Sequence, residues 1–385
     1  PSVILSSISP VIASEAKQSY KLNDKYAHLP IDTKYFKDLE LEILGLFDDL
    51  DSTLDGWLIK SENYQALNTI LPKFSGKVQT IYIDPPFNKE QDADYFYSVK
   101  YKDASWITLL ENRLQLAKDI LKDTSSIFVR CDYNGNMYVR MLMNKVFGAE
   151  NFRNEIAVRR GAESIAGLSK QFHKIKSVNI IYDNLYWYSR KEEIRFEKIL
   201  RPATERQQKG YWHGFWKSYN RPNLRYELLG IKLDRGQWLW NKDTAIQATK
   251  NYEQYLEEAK ETKETLEEYW ERTGWRLRFI TKDSDSRSIH SIKYWVPPRK
   301  QALSDNNWLD IPGYSAGWEF KTENSEILLK RVIESTSNKS DLVMDFFLGS
   351  GTTAAVAHKL GRKWLGVEMG EHFYTVVLPR MKKIL

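Results

Sequence analysis

The chain has a single cysteine, Cys131, among 385 residues, so no intrachain disulfide can brace it. Its six histidines are scattered and give no zinc-type ligand spacing. A reducing cytoplasm and a metal-free site are the expectation. Long apolar runs are also missing. Nothing approaches the roughly 18 residues of a membrane span, which excludes a helical membrane protein. The opening PSVILSSISPVIASEAKQS is mildly apolar, but without a basic start or a long apolar stretch it reads poorly as a signal peptide. A strong charge of one sign is absent as well. The formal net charge of +6 suits a polyanionic partner without demanding one.

What is present is a 42% hydrophobic, 28% charged sequence, the balance of a soluble globular protein. Its length predicts a catalytic domain plus a smaller region. Residues 37–50, KDLELEILGLFDDL, carry helical apolar spacing, Gly56–Ile59 reads as a short strand, and Glu62–Leu71 as a helix. VQTIYIDPPFN, residues 78–88, is a β-rich run that must end at its two prolines, because neither can continue a sheet ladder. An amphipathic helix over Ser105–Leu121, the strand SSIFVRCD and a helix over Gly135–Phe147 follow. Strand and helix alternating in short order predict a mostly parallel, doubly wound α/β sheet.

Beyond residue 151 the texture changes. Residues 201–310 hold eight of the 13 tryptophans amid 20 Lys or Arg and 16 Asp or Glu. NYEQYLEEAKETKETLEEYWERTG, residues 251–274, reads as one highly charged solvated helix. The α/β pattern returns near residue 318 with EILLKRVIEST as helix, DLVMDFFLGSGTTAAVAHKL as strand, glycine turn and helix, and KWLGVEMG as strand. The core fold is therefore expected to be built from both ends of the chain, with an insert between them.

Two segments carry chemistry. In DFFLGSGTTA, residues 345–354, the glycines let the backbone turn tightly beneath a ligand. GSGTTA fits a dinucleotide fingerprint and is not a P-loop, so a nicotinamide or flavin site competes with an S-adenosylmethionine site. Asp345 at the strand end tilts the choice to the cationic methionine end of S-adenosylmethionine, since a carboxylate there would repel a pyrophosphate. Glu368, ending the next strand, would accept ribose hydroxyls in either case. In DPPFN, residues 84–88, Asp84 can accept one N–H of an aromatic amine and the rigid Pro85-Pro86 backbone can present a carbonyl to the other. Phe87 offers a face on which an extruded base can stack. Read alone, the same residues also make an ordinary turn at a strand end.

With its DPPF segment before its glycine motif, the sequence resembles the β-class DNA amino-methyltransferases, in which a DPPY/F catalytic motif precedes the recognition region and an FxGxG cofactor motif comes last. It looks most like adenine-specific members, including modification (Mod) subunits of type III restriction systems. GWLIKSENYQAL, IYIDPPFN, FGAENFRNEI, IIYDNLYWYS, WEFKTENSEILLKRVI and the segment from DLVMDFFLGSGTT to GEHFY carry the likeness, about two thirds of the chain. It fails across roughly 201–305.

The resemblance implies a Rossmann-like methyltransferase sheet of permuted motif order, with an inserted target-recognition domain. It implies S-adenosylmethionine without metal, and N6 methylation of a flipped adenine in double-stranded DNA. Asp84, Pro85, Pro86 and Phe87 would form the catalytic loop. Asp345, Phe346, Gly349 and Gly351 would line the methionine end, with Glu368 on the ribose. Glu62 and Asn63, where the family often has Gly-Asp-Asn, together with Lys321 and Thr322, would complete the cofactor side. Leu348 replaces a usually small residue and Lys-Thr-Glu the commoner Lys-Pro-Glu.

The expected divisions are an N-terminal helical extension over 1–55, a catalytic half over 56–200, a recognition domain over 201–310 and a cofactor half over 311–385. Within the insert, ten Lys or Arg stand against four acids over residues 201–250. Arg221, Arg225 and Arg235 are its best DNA-contact candidates, while most of its tryptophans are expected in a small core. A homodimer and a restriction subunit are possible partners, and DNA of the bacterial nucleoid is the expected location. The rivals are cytosine-N4 methylation, a catalytically silent DNA-binding subunit, and a nicotinamide oxidoreductase built on GSGTTA.

Overall fold

The computed structural model describes residues 4–5, 31–32, 37–45, 48–86, 103–160, 178, 180–283, 286–314, 318, 320 and 322–384. Phe87, Lys321 and most of the expected N-terminal extension lie outside the described residues. The chain divides into two compact units, one of Pro1–Ile199 with Asp305–Leu385 and one of Leu200–Ser304.

The larger unit is built on eight strands: β1 (Gly56–Lys60), β2 (Val78–Ile83), β3 (Leu121–Cys131), β4 (Phe152–Arg159), β5 (Tyr182–Ser189), β6 (Asn307–Trp308), β7 (Leu342–Asp345) and β8 (Lys363–Glu368). They lie in the order β6-β4-β5-β3-β2-β7-β8-β1. β3, β2, β7, β8 and β1 run parallel. β5 is antiparallel to both β3 and β4, so the sheet is mixed at this side.

Helices cover both faces. α1 (Asn63–Phe74), α2 (Asp103–Ile120) and α3 (Asn136–Phe147) pack in one apolar cluster, and α4 (Glu326–Thr336), α5 (Thr352–Lys359) and α6 (Leu378–Ile384) in another. Strand alternation divides the side chains between them. Ile81, Ile83, Ile127, Val129 and Met344 enter the first cluster, and Tyr82, Phe128 and Val343 the second. Burial on both sides explains why these strands read as continuous apolar runs. α1 continues through Pro72 to Phe74, three residues past the expected stop.

The smaller unit has two aromatic-rich clusters of its own. Phe215 stacks on Trp238 at 5.7 Å, with Trp240 and Tyr294 edge-on around them. Tyr269, Phe279 and Trp295 form the second. The expected single charged helix is two, Lys242–Thr262 and Leu266–Arg272. Lys263 turns left-handed at φ 57°, and Thr265 with Glu268 builds a reciprocal capping box that starts the second helix.

Candidate active site

Parallel strands deliver their last residues to one edge of the sheet, where connecting loops leave room for a ligand. β2 and β7 are neighbours, and each is followed or ended by a carboxylate, Asp84 after Ile83 and Asp345 within β7. β8 ends in Glu368 beside them. All three line one cavity of about 440 Å³, together with Glu62, Asn63, Pro86, Phe346, Gly349 and Thr322. Pro85 and Gly351 do not line it.

The glycine loop explains its own sequence. Gly349 and Gly351 have φ of +55° and +83°, left-handed values that disfavour other residues. Gly349 N–H donates to Glu368 Oε2 at 2.8 Å and Gly370 N–H to Oε1 at 2.8 Å. Leu348 has room because Gly366 of β8 has no side chain: a Cβ there would stand 2.6 Å from Leu348 Cδ2. Buried Arg380 of α6 closes the loop from behind, donating to Thr352 Oγ1 at 2.9 Å and pairing with Glu323 at 2.8 Å.

Asp345 is 3% exposed, and both its oxygens are held: Phe347 N–H donates to Oδ1 at 2.9 Å and Thr353 Oγ1 donates to Oδ2 at 2.6 Å. Burial pushes its carboxyl up to about 7. The Thr353 and Phe347 hydrogen bonds oppose that rise, and the negative charges of Asp84 and Glu368 add to it. Burial also pushes Glu368 up, but hydrogen bonding and charge from His372, with the Gly370 and Gly349 amides, leave it below the ordinary carboxylate value.

Asp84 is raised to about 6, by burial first, against the lowering pull of Arg130 and of a hydrogen bond from Asn324. Asn324 Nδ2 donates to Asp84 Oδ2 at 2.9 Å. The next residues of the loop are pinned by Trp106, whose indole N–H donates to the Pro86 carbonyl at 2.8 Å. That carbonyl accepts one hydrogen bond and keeps a second lone pair.

On the far side of the cavity, Glu62 caps α1 through the Gln65 N–H at 3.1 Å and pairs with Arg113. Asn63 accepts from Arg113 Nε at 2.7 Å and donates to the Phe346 carbonyl at 3.1 Å. Through Arg113 both side chains tie the start of α1 to α2, and Asn63 alone also reaches the glycine loop, while both line the cavity. Sequence reasoning missed Arg113, Arg130 and Asn324. Arg130, 1% exposed and alone among apolar neighbours in β3, carried a legible signal: a charge inside a central strand must have a buried partner, here Asp183 at 2.8 Å.

In the smaller unit Arg221 and Arg235 are exposed. Arg225 is partly buried, with its Nε donating to the Gly236 carbonyl at 2.7 Å and Nη2 to Asn220 Oδ1. Tyr219, 69% exposed, stands two residues from Arg221. Among the described residues no group of three or more His, Cys, Asp or Glu is placed to hold a metal ion, and no helix is long and apolar enough to cross a membrane.

Comparison with known proteins gives this geometry a context. The chain is 28% identical over 389 residues to a probable type III restriction-modification enzyme HindVI Mod subunit of Haemophilus influenzae, covering 85% of this chain and 50% of that one. It thus spans about half that relative's length. A 60-residue stretch, 16% of the chain, is 45% identical to the DNA adenine methyltransferase YhdJ of Escherichia coli, of which it covers 20%. Among solved structures, PvuII DNA methyltransferase (cytosine-N4-specific) superposes with a TM-score of 0.47 at 13% identity, covering 86% of each chain. The N6/N4 DNA methylase family matches from residue 78, at the start of β2, to residue 378, at the start of α6, and so takes in both carboxylate strands and everything between them. The chain belongs to this DNA methylase family.

Proposed function

We propose that the chain transfers a methyl group from S-adenosylmethionine to the 6-amino group of an adenine flipped out of double-stranded DNA, as the modification component of a restriction-modification system. One observation carries the reading: a buried carboxylate, Asp345, and a half-buried one, Asp84, stand at the ends of adjacent parallel strands and open into the same cavity. The cofactor fits the lining. Asp345 is a buried carboxylate with no cationic partner among its described hydrogen bonds, and a cationic ligand relieves that state. Glu368 Oε2, bound by the Gly349 amide, keeps a spare lone pair for a ribose hydroxyl. Phe346, Gly349, Glu62, Asn63 and Thr322 complete the lining, with Lys321 on the same segment and Gly351 shaping the turn.

When bound, S-adenosylmethionine supplies a methyl group made electrophilic by its sulfonium. The chain's own residues act on the amine. Asp84 accepts one amine hydrogen and a carbonyl of the Pro85-Pro86 backbone the other, which draws the nitrogen lone pair out of ring conjugation. A carboxylate cannot fully deprotonate a neutral amine, so the proton leaves after transfer has begun. Phe87 stacks on the extruded base and replaces part of the lost stacking. Adenine is preferred to cytosine because Asp stands at position 84 and because the curated adenine methyltransferase shares a stretch with this chain.

The smaller unit serves as the recognition domain. Arg221 and Arg235 contact DNA and Arg225 supports the turn between them. Arg221→Ala and Arg235→Ala are expected each to reduce the salt slope of DNA binding by about one, whereas Arg225→Ala lowers thermal stability first. The central test is transfer of labelled methyl groups to unmethylated DNA followed by nucleoside analysis. N6-methyl-2′-deoxyadenosine formed by the wild type and not by Asp84→Ala supports the reading, N4-methyl-2′-deoxycytidine redirects it to the other amine, and no cofactor binding at all overturns it.

A further inference from the structure

The amide of Asn324 has its orientation dictated by its neighbours. Its Oδ1 lies 2.7 Å from Arg130 Nη1 and 2.9 Å from the Tyr82 hydroxyl. A guanidinium can only donate, so the carbonyl end of the amide must face Arg130 and the NH₂ end must face Asp84. Arg130 cannot swing away, because Nε and Nη2 both donate to Asp183 Oδ2, at 3.2 and 2.8 Å, and its guanidinium lies 4.4 Å from the Tyr314 ring centroid. Strand alternation places Tyr82 and Arg130 on one face of adjacent strands, β2 and β3. Asn324 comes to that face from the turn before α4.

The consequence falls on Asp84. Its Oδ2 sits 2.9 Å from an NH₂ group that can only donate, so this oxygen must be an acceptor. Its Oδ1 has no partner among the described residues. We propose that Asn324 is a positioning residue for the methyl-transfer reaction: held by Arg130 and Tyr82, it orients Asp84 and favours its ionised form, with one oxygen occupied and the other presented to an N–H of the target amine.

This proposal rests on the function above and also selects the substrate class, since an acceptor at that point admits amino-bearing bases and repels keto edges. The charges facing Asp84 come from several elements: Arg130 and Asp132 at the end of β3, Asp183 on β5, and Asp345 across the cavity. Asn324 supplies the hydrogen bond that these charges do not.

The test is Asn324→Ala beside the isosteric Asn324→Asp in the full chain. For Asn324→Ala, kcat is expected to fall about 10- to 100-fold, the loss of a hydrogen bond to a charged group. The acid limb of its pH profile should move up by about one pH unit, while cofactor affinity stays within about threefold. Asn324→Asp places a second carboxylate against Asp84, so the two share a proton and activity is regained on acidification instead of lost. A ¹³C-carboxyl titration of Asp84, assigned with Asp84→Asn, reads the same shift without catalysis. If the wild type forms no methylated base, the function fails while this titration still decides the role of Asn324. A fallen kcat with an unmoved acid limb, or an unmoved Asp84 titration, overturns the proposal.

Discussion

The two strand ends at the cavity hold the same chemical group in opposite ways. Asp345 has both oxygens engaged by its own loop, through the Phe347 amide and the Thr353 hydroxyl. Among the described residues Asp84 has one oxygen engaged, by a residue 240 positions away. A carboxylate tied at both oxygens acts as a fixed charge. One tied at a single oxygen keeps a directional acceptor for a substrate. The contrast teaches that a shared raised pKa does not mean a shared geometry: hydrogen bonds separate a carboxylate closed at both oxygens from one that keeps an acceptor open to the cavity.

The strongest way to break this comparison is to remove each carboxylate. Asp84→Ala is expected to lower kcat by about 10³-fold or more and to leave cofactor affinity within about threefold. Asp345→Ala is expected to weaken cofactor binding about 10- to 100-fold, the worth of a buried charge-assisted contact. Calorimetric titration of cofactor beside single-turnover transfer separates the two, and a common effect on one parameter would erase the distinction.

The pH dependence sharpens it. Cofactor affinity should fall as pH drops through about 7, where Asp345 takes up a proton, whereas kcat at saturating cofactor should hold until about 6, where Asp84 does. Stability runs the other way. Both groups bind their protons more tightly in the folded chain than at the ordinary value of 3.8. The stabilisation this gives is therefore complete below that value and lost as pH rises through about 6 and then 7. Thermal melts without ligand should show that decline, and the gain in Tm on adding the cofactor should grow over the same range. The smallest effect belongs to Thr353→Val, which removes the 2.6 Å bond to Asp345. It should weaken cofactor binding about 3- to 10-fold without moving the kcat limb.

Features encoded locally were legible in the sequence. The prolines after Ile83 ended a strand, the glycines of residues 349–351 required left-handed backbone, and helical spacing gave α2 and α3 to within two residues of their ends. The break at Lys263 was equally local. Thr265 and Glu268 stand at capping-box spacing, and the charge pattern that suggested one continuous helix masked it. What could not be read was who meets whom. Asn324 reaches Asp84, Arg113 reaches Glu62 and Arg380 reaches Glu323 only after helices pack on the sheet, and no periodicity encodes a partner across 50 or 240 residues. Glu62 was anticipated as a ligand contact, but its engagement as a helix cap and ion-pair partner depended on a residue in α2.

The strand order also sets a timetable. β1, at the edge of the sheet, pairs with β8, and the two are separated in the chain by everything from Ser61 to Arg362. At ribosomal rates that interval lasts roughly 15–60 s. Throughout it the newborn protein carries β1 and one side of β2 as unpaired backbone, since β7 arrives almost as late. The cavity therefore exists only once translation has passed β8. During synthesis the loop that follows β2 therefore stands for roughly 15–60 s beside an unfinished sheet, open to association with other chains.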